Sequence, residues 1–220
     1  MDEDEITAAA AGVDDRIARR LRQRREALGL GEAEAAARIG ITRAKLVRIE
    51  SGRSHPTTVL LGRICTALGL TMTSVMSPDD PAAASDTAPE DAAAPGGSTV
   101  LRRIDQPVWH DPGSGYSRRI LSPSGTGSPL EIVEIEFPPY ADVTYGPTGA
   151  FGTTQHLVVL DGALTVTVGG RTHHLDAGDC LHMCLAGGGT VHNPGPAPCR
   201  YMVVLERGLA IRPAADRSAG

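Results

Sequence analysis

The sequence predicts a two-part chain of the α+β class: a helical bundle first, an all-β barrel or sandwich second. Three observations predict it. Up to about residue 76, apolar residues recur at helical spacing. Beyond residue 100 they alternate with polar residues, which is the period of a strand. Between the two lies SPDDPAAASDTAPEDAAAPGGS (77–98), which lacks bulky apolar residues and cannot offset its ordering entropy by burial. A length of 220 residues suffices for two modest domains. The expected organisation is an acidic disordered tail over 1–13, a helical domain over 14–76, a flexible acidic linker over 77–100, a β domain over 101–210 and a disordered tail over 211–220.

In the helical part, Ile17, Leu21 and Leu28 form one stripe, and Leu61, Ile64 and Leu68 another. Short glycine-containing connections at 28–30, 38–41 and 51–53 divide it into about five short helices. In the β part, LEIVEIEF (130–137), HLVVL (156–160), ALTVTV (163–168) and YMVVLE (201–206) read as strands. Asp161-Gly162 and Gly169-Gly170 read as hairpin turns.

The formal net charge of −5 conceals an asymmetry. Residues 14–76 carry twelve bases against six acids, inside an otherwise acidic chain. A basic segment separated in this way fits a polyanion-binding module. The four cysteines, Cys65, Cys180, Cys184 and Cys199, show no C-x-x-C spacing and read as reduced thiols of a cytoplasmic protein. The start is acidic and alanine-rich, without the basic and apolar regions of a signal peptide, and no apolar run is long enough to span a membrane.

The stretch GEAEAAARIGITRAKLVRIESG (31–52) fits a helix-turn-helix. Taking Glu32 as its first position, Ala36 falls where the two helices approach most closely. Gly40 falls at the turn, where a positive φ is required. Ile41, Leu46 and Ile49 point back to the core, and Thr42 caps the second helix. That helix then displays Arg43, Ala44, Lys45, Val47 and Arg48 outward, a set suited to base edges and phosphates.

With these residues, RRLRQRREALGLGEAEAAARIGITRAKLVRIESGRSHP (19–56) resembles the phage-repressor (XRE) family of helix-turn-helix domains. The resemblance implies base contacts from Arg43, Ala44, Lys45 and Arg48, and phosphate contacts from Thr42 and nearby backbone amides. It also implies that Arg25, late in the first helix, pairs with Glu50 at the end of the recognition helix. Gly31-Glu32 departs from the family's usual Ser/Thr-Gln at the start of the domain's second helix, and Ala35 from its usual leucine.

The segment 141–205 resembles a cupin, through HLVVLDGALTVTVGG, LDAGD and HNPGPAPCRYMVVL. Cupin enzymes hold a divalent metal through three histidines and one glutamate. Aligned on Gly162, Gln155 stands at the glutamate position, and the histidine pair would fall within TGAF (148–151). In the second motif, opened by Gly178 and closed by Asn193, Gly189 stands at the histidine position. The expectation is therefore a barrel with no metal, no cofactor and no catalytic residue. Its cavity is expected to hold a small molecule near Tyr145 and Gln155. Alternation turns His156, Cys180, His182, Cys184 and His192 away from the interior, with Leu181, Met183 and Leu185 inward, and His173-His174 is expected exposed on a hairpin.

Together the two resemblances imply an XRE-cupin regulator, not an enzyme. It would bind double-stranded DNA at a near-palindromic operator as a cytoplasmic homodimer joined through its cupin domains, and respond to a small-molecule effector. The alternatives are a cupin metalloenzyme with a DNA-binding appendage, or a zinc or redox sensor acting through Cys180, His182 and Cys184.

Overall fold

A computed structural model describes residues 3–77, 98–124, 126, 128–146, 154–184 and 187–206. Most of the expected linker and the whole C-terminal tail lie outside these residues. Five helices come first: α1 (Glu3–Ala27), α2 (Glu32–Ile39), α3 (Arg43–Glu50), α4 (Thr58–Leu68) and α5 (Met72–Met76). Their boundaries follow local chemistry. Gly40, at φ 76°, closes α2, and its amide returns to the Ala36 and Ala37 carbonyls. Thr42 and Thr57 cap α3 and α4 by accepting from the backbone amides of Lys45 and Leu60. Thr71 and Ser74 form a capping box on α5.

Two expectations in this half are corrected. The helix α1 begins at Glu3, so the segment expected as a disordered tail is helical. Its run of alanines behind acidic residues combines high helix propensity with favourable charge at a helix N-terminus. Leu28 is 42% exposed, because α1 ends at Ala27 and the period no longer applies. The stripe is Val13, Ile17 and Leu21, and Leu30 is the leucine that turns in.

Ten strands follow: β1 (Val108–His110), β2 (Ser117–Ile120), β3 (Leu130–Phe137), β4 (Asp142–Tyr145), β5 (Thr154–Asp161), β6 (Ala163–Val168), β7 (Arg171–Asp176), β8 (Cys180–Cys184), β9 (Gly189–His192) and β10 (Cys199–Glu206). They form a sheet ordered β1-β2-β3-β10-β5-β8 and a second ordered β4-β9-β6-β7. Strands β3 to β10 thus have jelly-roll order, the architecture of cupins, and β1 and β2 extend one sheet. The hairpin glycine Gly162 has φ 81°, and a Cβ there would lie 3.1 Å from the Cys199 backbone. Asn193 donates to the carbonyls of Phe137, Pro138 and Ala197 and accepts from the Gly195 amide, fixing the turn before β10.

Inward positions alternate as expected. Val133, Ile135, Phe137, Leu157, Val159, Leu164, Val166, Met183, Val191, Tyr201 and Val203 are buried. Leu185 lies outside the described residues. His173 and His174 lie on β7, an arm of the β6–β7 hairpin as expected, and the expectation is corrected only for the exposure of His173. His173 opposes the inward Val166 and is half-buried, and only His174 is exposed.

The helices and the barrel share one hydrophobic core. Helix α1 packs against β1, and α4 against β4.

Candidate nucleic-acid interface and the junction behind it

Recognition helix α3 is anchored on one side and open on the other. Leu46 and Ile49 are fully buried, while Thr42, Arg43, Ala44, Lys45 and Arg48 are exposed and Val47 is 37% exposed. Ala36 is 2% exposed and sits in the α2–α3 contact as a small residue must. Ala35 is equally buried, at 1% exposed.

The anchor is an ion pair. Arg25 Nε donates to both Glu50 carboxylate oxygens at 2.8 and 3.0 Å, and its second terminal nitrogen donates to Oε2 at 2.8 Å. Arg25 also donates to the Leu30 carbonyl at 3.0 Å, tying in the α1–α2 connection. Both side chains are buried. The Glu50 hydrogen bonds push the guanidinium further above its ordinary value, against the opposing effect of burial. A second cation, Arg63 of α4, donates to the Ile39 and Gly40 carbonyls and so satisfies the C-terminal end of α2.

On the open face Arg43 is already engaged. It donates to Glu32 Oε2 at 2.8 Å, bridging the starts of α2 and α3. Such an exposed pair contributes about 0.2–1 kcal/mol, so it holds Arg43 only weakly. We therefore expect Glu32→Gln to tighten binding to duplex DNA of any sequence, most visibly at low salt, in a titration of ionic strength. We expect Arg43→Ala and Arg48→Ala each to cost about 1–3 kcal/mol on the specific site. Measured on specific and scrambled duplexes, unchanged discrimination in both variants would exclude α3 as the reading element.

Behind this head lies a polar junction that sequence patterning did not disclose. Asp111, 4% exposed after β1, points its carboxylate at the start of α4. Its Oδ1 accepts from the Thr58 amide at 2.6 Å and the Thr58 hydroxyl at 3.0 Å. Its Oδ2 accepts from the Ser114 amide at 2.6 Å and hydroxyl at 2.7 Å. The Thr58 hydroxyl also lies 2.7 Å from the Tyr116 hydroxyl. Trp109 donates its indole N–H to Asp14 of α1 at 3.2 Å. Thr71 donates to the buried Glu131 of β3 at 3.0 Å. A cleft of about 220 Å³ opens here, lined by residues including Thr57, Asp111, Ser114 and Thr144.

Burial alone would raise the Asp111 carboxyl, but the Ser114 and Thr58 hydrogen bonds outweigh it and hold the group below its ordinary value. The sign follows: a carboxyl depressed on folding stabilises above its unfolded pKa of about 3.9, and that stability is lost as pH falls through the lower folded value. We expect the junction to loosen in acid below about pH 4. The titration should show in the fluorescence of Trp109, the sole tryptophan, and disappear in Asp111→Asn.

In the barrel, Tyr145 is half-buried, hydrogen-bonded to Tyr116 and within electrostatic reach of Tyr201. Gln155 also turns inward but lies in the cross-strand row of Leu205 and Glu131. That row is four residues along β10 from Tyr201, about 13 Å away. The two expected pocket residues thus sit at different levels.

Of the positions where cupin enzymes hold metal, 148–151 lie outside the described residues. The others offer an amide, Gln155, and no side chain, Gly189. This donor set does not suit a divalent ion. On the outer face of edge strand β8, Cys180, His182 and Cys184 are exposed beside His156. The His156 and His182 rings are 4.9 Å apart, and Cys180 Sγ is 3.9 Å from His156 Nδ1. Among the described residues no three His, Cys, Asp or Glu side chains converge as a metal site. His192 turns outward, 4.0 Å from Asp142. No described helix is long and apolar enough to cross a membrane.

A capped two-helix unit with a buried Arg–Glu anchor and an exposed cationic helix defines a helix-turn-helix DNA-binding protein, and the chain belongs to the helix-turn-helix (HTH-type) transcriptional regulators. The family described as "Helix-turn-helix domain" matches residues 16–74. An uncharacterized HTH-type transcriptional regulator of Methanothermobacter thermautotrophicus is 43% identical over 49 residues, covering 22% of this chain and 71% of that protein. The crystal structure of an HTH_3 family transcriptional regulator from Vibrio cholerae has the same overall fold. It aligns with 90% of this chain and 98% of its own at a TM-score of 0.67 and 20% identity. The cupin domain of an XRE family regulator from Enterobacter cloacae aligns with 41% of this chain and 95% of its own, at a TM-score of 0.38 and 18% identity.

Proposed function

We propose that this chain is a sequence-specific regulator whose barrel takes up a small organic effector and transmits the event to its DNA-reading head. The observation that carries this reading is the junction. The start of α4 is hydrogen-bonded to Asp111 and Tyr116 of the β domain, and Tyr116 is bonded in turn to Tyr145 of the barrel. A ligand that favours one arrangement of these groups biases the position of α3, and the coupling is a free energy shared by the two sites.

Thr42, Arg43, Ala44, Lys45 and Arg48 form the DNA surface in this reading, with Arg25 and Glu50 holding it. One recognition helix per chain reads one half-site. A homodimer joined through the barrels would read a near-palindrome whose half-sites lie about one helical turn apart. No catalytic step and no cofactor are assigned. The test is to select genomic fragments bound by the full chain, footprint them, and screen metabolites for release. Two related half-sites and at least one releasing metabolite are expected. A single asymmetric site bound tightly by a monomer, with no metabolite changing the affinity, would contradict it.

A further inference from the structure

Arg118 of β2 is 9% exposed and lies on the inner face of the larger sheet. In register it stands between Trp109 of β1 and Ile135 of β3, and Ile135 stands opposite Tyr201 of β10. All three neighbours in this row are buried apolar or aromatic residues. The buried Nε of Arg118 has no hydrogen-bond partner among the described residues. The contrast with Arg25, equally buried but locked to Glu50, is direct.

An ionised group in such a place is costly unless an opposite charge and hydrogen bonds meet it. Among the described residues, the groups whose titration Arg118 influences do not supply that charge. They are the phenols of Tyr116, Tyr145 and Tyr201 and the thiol of Cys65 on α4. Burial pushes all of them up, Cys65 to about 12, so they remain neutral near pH 7. Three hydroxyls thus lie within electrostatic reach of a guanidinium whose buried Nε has no partner among the described residues, in an apolar cross-strand row.

We propose that Arg118 is the anchor of a binding site for a small organic carboxylate. A guanidinium fork pairs with a carboxylate through two parallel hydrogen bonds, and tyrosine hydroxyls donate further. One cation suits one negative charge, which favours a monocarboxylate over a phosphate dianion. The apolar row suits an aliphatic or aromatic remainder. The position also matters. Tyr116 touches α4 through Thr58, Trp109 touches α1 through Asp14, and Cys65 belongs to α4 itself. An anion here sits beneath the DNA-reading head. The inference rests on the effector-sensing reading above and names the class of effector.

The test is thermal unfolding and Trp109 fluorescence of the full chain titrated with sodium acetate, butyrate or benzoate, at ionic strength matched with chloride, and with butyramide as the neutral control. A saturable rise in midpoint is expected, about 5 °C at a hundredfold excess over Kd. Chloride and butyramide should produce none. Arg118→Met should be at least as stable as the parent without ligand and lose the carboxylate response. Arg118→Lys, which keeps the charge, should retain a weakened one. A lower ligand-free midpoint for Arg118→Met, or carboxylate responses no larger than those to chloride and butyramide, would overturn the site. DNA affinity measured in the same solutions separates the two ideas. A midpoint shift with unchanged DNA binding supports the site and contradicts sensing. Release of DNA by a neutral metabolite, without any carboxylate shift, contradicts the site and leaves sensing standing.

Discussion

Glu50→Ala is expected to destabilise the helical head by about 3–5 kcal/mol, because it strands the buried Arg25 guanidinium without its counter-charge. At about 2–4 °C for each kcal/mol, the melting midpoint should fall by roughly 6–20 °C. Two parts of the structure depend on the pair. Glu50 ends the recognition helix, and Arg25 also holds the Leu30 carbonyl at the entry to α2. Specific DNA binding should therefore weaken although neither residue faces the open surface. The double variant Arg25→Met, Glu50→Leu should recover much of the stability, since removing both charges costs far less than removing one. Measured by thermal melts of all three chains, an unchanged midpoint in Glu50→Ala would mean that the two charges act independently.

Asp111→Ala is expected to have an effect of similar size, about 3–5 kcal/mol. It removes the acceptor of four hydrogen bonds, two of them from backbone amides. A buried donor left unsatisfied costs about 1–3 kcal/mol. Here the loss falls on the polar junction, not on the shared hydrophobic core. Limited proteolysis should cut near the start of α4 sooner, and Trp109 should become more exposed to quenchers. Asp111→Asn keeps the shape and one acceptor oxygen, so it should fall between the parent and the alanine variant. If both variants resist protease as the parent does, Asp111 is not what holds the head to the barrel.

The helix-turn-helix was legible because its signals are local. Gly40 supplies the left-handed turn, Thr42 the cap, and Leu46 and Ile49 the buried stripe, all within a dozen residues. The strands were legible because alternation distinguishes two faces, which correctly turned Met183 and Gln155 inward and Cys180, His182 and Cys184 outward. The junction was not legible. HDPGSG (110–115) reads as a turn, and the Ser114 bonds to Asp111 are such a local feature. The partner that gives Asp111 its larger role, Thr58, is 53 residues away, and no periodicity records that distance. The same blindness applies to Arg118. It sits beside Arg119 in SRRI (117–120), and nothing in that pair shows which arginine the fold buries. In α1 the error was one of composition, since an acidic, alanine-rich start serves a helix as well as a tail.

The most direct test of the account is the affinity of the full chain for its selected genomic site and for a scrambled duplex of equal length, measured across a range of salt, with the Arg43→Ala, Arg48→Ala double variant alongside. The account predicts that the parent prefers its site by about a thousandfold or more at physiological salt, and that the double variant loses most of this preference while remaining folded. Equal affinity of the parent for both duplexes, or an undiminished preference in the double variant, would contradict it.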